Sequence, residues 1–68
     1  MVLKMDQEIC KLIIGLHQME ARRLVETANL KFRITQIDEK PQIVTRNYDL
    51  NRVNVYTKQG CVIKAYLG

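Results

Sequence analysis

The side chains able to do chemistry are few and scattered. The chain has a single histidine, His17, and two cysteines, Cys10 and Cys61, 51 positions apart and outside any CxxC pair. Structural metal sites draw closely spaced Cys and His ligands together, so no metal is expected here. His17 has no paired carboxylates and no nucleophile motif beside it. It reads as a polar residue at a helix start, and neither enzyme activity nor a cofactor is expected. In a reducing compartment the cysteines read as two small buried thiols. A disulfide between them would stabilise the chain by roughly 4 kcal/mol, but needs Cα atoms within about 7 Å. The stretch with most to offer is Gln42-Ile43-Val44-Thr45-Arg46-Asn47-Tyr48, an extended, β-branched run with a cation near its centre. Its chemistry is recognition: it looks like presented peptide.

The scale of the chain narrows the choice. Sixty-eight residues make one small domain with a marginal core. A two-domain enzyme with a cleft is excluded, and so is a dinucleotide-binding fold. The net charge of +4 is evenly spread, with six basic and four acidic residues up to Ile34 and five and three beyond it. Lys31 and Arg33 flank only one aromatic, Phe32, so no nucleic-acid partner is expected. Apolar runs such as Leu12-Ile13-Ile14 fall far short of a membrane span. Met1 to Cys10 holds no apolar signal core and no cleavage pattern. A cytoplasmic location is therefore expected, or secretion if the sequence is that of a mature form.

The elements that must position the stretch follow from periodicity. Leu16, Met19, Ala21, Leu24, Val25 and Ala28 recur at spacings of three and four, which predicts an amphipathic helix of about three turns. His17 and Glu20 resemble a capping box with an unusual cap, Arg22 and Glu26 can pair weakly, and Asn29 is a plausible stop. Lys31 to Ile37 then reads as a strand whose alternation slips near Gln36, a bulge signal. Arg52 to Thr57 alternates cleanly, Lys58-Gln59-Gly60 is a turn, and Cys61 to Tyr66 is a further strand, which predicts an antiparallel hairpin. The connection from Asp38 to Asn51 has no helical period, and Pro41 breaks structure near its start. Connections of that length are usually functional or disordered, and the β-branched content of this one speaks for function.

These residues resemble the potato inhibitor I family of serine protease inhibitors and the related small elastase-inhibitor family of fungi and bacteria. Ile13-Ile14-Gly15 is similar to the Leu-Val-Gly before that family's helix, and Glu20-Ala21 falls where its helix carries Glu-Ala. Met19 to Ala28 matches the helix in position and length. Ile43-Val44-Thr45-Arg46-Asn47-Tyr48 is similar to the reactive-loop motif Ile/Val-Val-Thr-x-acidic-Tyr. Asn51-Arg52-Val53-Asn54-Val55 is similar to the strand that follows, and Gly68 stands where family members have their final glycine. The resemblance covers Leu12 to Gly68.

The resemblance implies an α+β fold in which one amphipathic helix packs on a small mixed sheet. The first two strands would run parallel, joined by a long extended binding loop, in one domain over 1–68 with 1–11 as a flexible extension. It implies a protease-binding loop of Val44, Thr45, Arg46, Asn47 and Tyr48, with Arg46 as the primary specificity residue and Asn47 after the scissile bond. Arg52, Asn54 and Gly68 would brace that loop. The implied partner is a serine protease, trypsin-like because Arg46 suits an acidic pocket, or subtilisin-like. At Asn47 the family has an acidic residue that binds the braces, so a looser loop is expected here. A non-inhibitory protein-binding module on the same fold, acting through the loop or a sheet edge, is the alternative.

Overall fold

The structure is a computed structural model that describes residues 8–68. Residues 8–12 are helical (α1), and the second helix, α2, spans Gln18–Thr27. His17 caps α2: its backbone is extended and its Nδ1 accepts from the Met19 N–H at 3.2 Å, satisfying one of the donors a helix start leaves open. At the other end Asn29 has φ 62°, with Asn29 N–H donating to Glu26 O and Leu30 N–H to Val25 O. That is a Schellman closure, and asparagine tolerates its left-handed position. Val25 and Leu30, the two ends of the closure, are both buried. The expected Arg22–Glu26 pair forms at 3.3 Å with both side chains exposed.

Four strands follow: β1 (Lys31–Ile37), β2 (Lys40–Pro41), β3 (Arg52–Lys58) and β4 (Cys61–Leu67). They form one mixed sheet in the order β2-β1-β3-β4. β1 and β3 run parallel, and the other two pairs are antiparallel. The α+β class is as expected, with two helices and four strands where the resemblance implied one helix and periodicity three strands. The register of β1 against β3 shifts between Ile34 and Gln36, where the alternation slips. The β3–β4 hairpin turns through Gln59 and Gly60, both at positive φ, as a two-residue turn of this hand requires.

The strand missing from the expectation is β2. Pro41 breaks nothing, because it lies on a sheet edge where a missing N–H costs no ladder bond. Asp38 and Glu39, at φ 48° and 70°, make the tight turn into it, and Asp38 Oδ1 accepts from the Gln59 N–H at 2.7 Å. Residues 1–7, most of the expected flexible extension, lie outside the described residues, and residues 8–11 belong to α1.

The core lies between the helices and one face of the sheet. Ile13, Ala21, Val25, Val53, Val55 and Val62 are sealed from solvent, with Cys10 and Leu30 nearly so. Cys61 is half-buried on β4, and no disulfide joins it to Cys10. Residues 15–18 run along the outer side of β4 at its start, with Gly15 N–H donating to Val62 O, Val62 N–H to Leu16 O and Gln18 N–H to Gly60 O. Among the described residues no helix is long and apolar enough to cross a membrane. β3 is the central, most buried strand: Val53 and Val55 face the core, so alternation turns Arg52, Asn54 and Tyr56 to the opposite face.

Two substitutions check the helix closure. Asn29→Gly is expected to keep full stability in denaturant unfolding. Asn29→Ala, forced into the same left-handed backbone, is expected to lose about 1 kcal/mol.

Candidate functional site

The face of the sheet away from the helices carries the polar side chains of β1 and β3, and the 42–51 connection lies against it. Gln42 N–H donates to Thr35 O at 3.0 Å, tying the start of the connection to the edge of β1. Beyond it two arginines reach out from the sheet. Arg52, only 8 % exposed, donates from Nη2 to Asn47 O at 2.5 Å and to Gly68 O at 2.8 Å. Arg33, half-buried on β1, donates from Nη1 to Thr45 O at 3.1 Å and to Thr45 Oγ1 at 3.4 Å. The Thr45 hydroxyl in turn donates to Asn47 Oδ1. The carbonyls of Thr45 and Asn47, either side of Arg46, are thus each held by a guanidinium from the sheet.

Arg46 itself is exposed and makes no hydrogen bond or ion pair with the described residues. The apolar side chains around it are also exposed: Ile43 fully, Tyr48 to 74 % and Val44 to 36 %. The segment holds on by its backbone and offers its side chains. That is the reverse of a core strand, and it leaves the side chains of Ile43 and Arg46 ready for a partner.

Asn54 stands one step back from the loop. It is buried, and its Oδ1 accepts from Arg33 Nε at 2.8 Å. The resemblance implied a direct brace at Asn54. An asparagine is short, and here it steadies a longer side chain that spans the gap. Arg33 and Asn54 are register partners on the parallel strands, which brings their side chains together on one face. Arg33 is the residue that sequence reasoning missed. Its only signal was a charged residue between Phe32 and Ile34 on a strand, and its reach to Thr45 depends on a register the sequence does not state.

Gly68 closes the far side. Its carbonyl accepts from both Arg52 Nη2 and the Asp49 N–H, and its own N–H donates to Arg52 O. A Cβ at Gly68 would lie 3.1 Å from Tyr48 Cε1, and its φ of 140° disfavours other residues. The glycine therefore lets the Tyr48 ring lie against the chain.

Asp49 anchors the end of the loop. Its carboxylate accepts from Lys31 Nζ at 2.9 Å and from the Asn51 N–H at 2.8 Å. Lys31 foremost, then the Asn51 N–H, hold the carboxyl below its ordinary value of 3.8; Arg52 adds a smaller pull. Asn47 presents a neutral side chain, and each arginine holds a loop carbonyl. No family model, curated protein or solved structure matches this chain.

Two outcomes follow from this geometry. Arg52→Ala removes two charge-assisted bonds at once and is expected to cost about 2–3 kcal/mol. Amide exchange at residues 45–49 should rise with it by more than the global loss of stability explains. The Asp49 contribution has a definite sign with pH. Because the folded carboxyl titrates below its unfolded value, its stabilisation is full above that ordinary value and fades as pH falls through the lower folded one. Asp49→Asn should remove that part of the acid dependence in melting experiments, leaving the stability curve flatter below pH about 4.

Proposed function

We propose that this protein is a serine protease inhibitor of the potato inhibitor I type, presenting Val44 to Tyr48 to the protease cleft with Arg46 as the primary specificity residue. The observation that carries the reading is the pair of guanidinium contacts either side of Arg46, from Arg33 to Thr45 O and from Arg52 to Asn47 O. A protease binds its substrate as an extended strand. A loop already held in one shape loses little conformational entropy on binding, so more of the contact energy appears as affinity.

The same contacts explain why cleavage would not end inhibition. Hydrolysis after Arg46 leaves two new ends, one beginning at Asn47. Arg52 holds the Asn47 carbonyl and Arg33 holds Thr45, so both ends stay in place and religation competes with release. Arginine suits this task because its fork of donors serves several acceptors at once. Arg52 does so here, reaching Asn47 O and Gly68 O from one nitrogen. Arg46 would meet an acidic pocket floor of the trypsin kind, while the exposed Ile43 and Tyr48 extend the contact on either side. The neutral Asn47 leaves the loop without an internal ion pair, which favours moderate affinity.

Titration of trypsin-like, chymotrypsin-like and subtilisin-like proteases tests the reading. Inhibition of the trypsin-like enzyme is expected, with Arg46→Ala weakening it on the order of 100-fold, the effect of losing a hot-spot arginine. Free cleavage by all three proteases with no residual inhibition would refute it and favour a non-inhibitory binding module working through the same exposed side chains.

A further inference from the structure

We propose that the face of the sheet turned away from the helices binds single-stranded nucleic acid, with a base lying on Tyr66 and a phosphate on Lys64. Strand pairing builds two rows across that face. Tyr66 stands opposite Asn54, which neighbours Arg33, and Lys64 stands opposite Tyr56, which neighbours Gln36. The two rows hold two aromatic rings, two cations and two amides, with no carboxylate. The rings of Tyr56 and Tyr66 meet edge to face with centroids 6.1 Å apart. The Lys64 ammonium lies 5.0 Å from the Tyr56 centroid and 5.9 Å from that of Tyr66. Lys64 and Tyr66 are exposed, and among the described residues Lys64 has no acidic partner. Along the chain the two tyrosines are ten positions apart, and they meet only because β4 turns back on β3.

The charge of the molecule favours the same partner. Residues 8–30, which supply the helices, carry three basic and three acidic side chains, whereas residues 31–68, which supply the sheet and the loop, carry seven and three. The whole excess of +4 therefore lies in the sheet-and-loop layer, a distribution that a division at Ile34 conceals. An anionic polymer is drawn to that layer. Charge alone would suit any polyanion, and the rings narrow the choice. Every base presents a π face that a tyrosine can carry, and a cation beside the ring can meet the phosphate. Lys64 and Tyr66 are two residues apart on β4, about 7 Å, so a base on Tyr66 has its phosphate within reach of Lys64. An acidic peptide would engage the lysine and leave the ring unused. Neither residue belongs to the loop, so the proposal stands apart from the inhibitor reading.

The full chain is titrated into a fluorescently labelled, single-stranded oligodeoxythymidine at low salt, with no protease present, and binding is read as anisotropy. Saturable binding is expected, weakening as sodium chloride is added. Tyr66→Ser should weaken it about tenfold, the effect of losing one stacked base. Lys64→Gln should also weaken it, and should reduce the slope of log K against log salt by about 0.7, the share of one phosphate contact. Arg22→Gln removes the same charge from the exposed face of α2 and should keep both the parent's affinity and its slope. Poly-glutamate, which has the charge without the bases, should bind about tenfold more weakly than the oligonucleotide. No saturable binding to the oligonucleotide would overturn the proposal, as would equal binding to poly-glutamate. So would equal losses in Lys64→Gln and Arg22→Gln, which mark an attraction spread over the whole surface. That comparison of two exposed positions decides the matter even if Tyr66→Ser does not fold.

Discussion

The guanidinium of Arg52 is a cation held almost out of water at the start of the central strand, and the loop end of the molecule is organised around it. A buried charge is costly unless hydrogen bonds replace its hydration. Arg52 finds them on the carbonyls of Asn47 and Gly68, which come from opposite sides of β3 in the sequence. The side chain thus draws together the loop that precedes its strand and the segment that ends the last one. The backbone of the same residue completes the arrangement, with Arg52 N–H donating to Asp49 O and Arg52 O accepting from Gly68 N–H.

β3 serves two ends because a strand has two faces. Val53 and Val55 complete the core beneath the helices, while Arg52 and Asn54 reach the other way toward the loop. A small domain has little apolar surface to bury, so its sealed core is a handful of aliphatic residues. What it does with its remaining face is polar: arginines, a buried asparagine and the carbonyls of an exposed segment. The packing that stabilises the fold and the hydrogen bonds that shape the loop lie on opposite sides of one seven-residue strand. A change on either side is felt by the other through the backbone they share.

The second brace is built differently from the first. Arg33 comes from the neighbouring parallel strand, and the buried Asn54 holds its Nε. Divided this way, neither residue suffices: Asn54 is too short to reach the loop, and Arg33 without Asn54 has a longer, freer side chain to immobilise. Lys31, two residues before Arg33 and so on the same face of β1, reaches Asp49 at the end of the loop. Between them β1 and β3 hold the segment at Thr45, Asn47 and Asp49, and leave Arg46 exposed.

Much of the local structure was legible in the sequence because it rests on local rules. His17 as a cap, Asn29 as a stop, the slip near Gln36 and the turn at Gln59-Gly60 are each decided by a few neighbouring residues and their allowed backbone angles. Pro41 misled for the same reason, since a local rule cannot say whether a strand will lie at an edge. The sequence by itself also determined that residues 42–48 would hold no helix, and the structure leaves them exposed and outside the strands. Only the tertiary structure decided what holds that segment. Pairing Arg33 with Asn54 is a matter of strand register, and meeting of Asn47, Arg52 and Gly68 is a matter of topology. Both join residues distant along the chain, and such contacts are set by the packing of the whole sheet rather than by spacing.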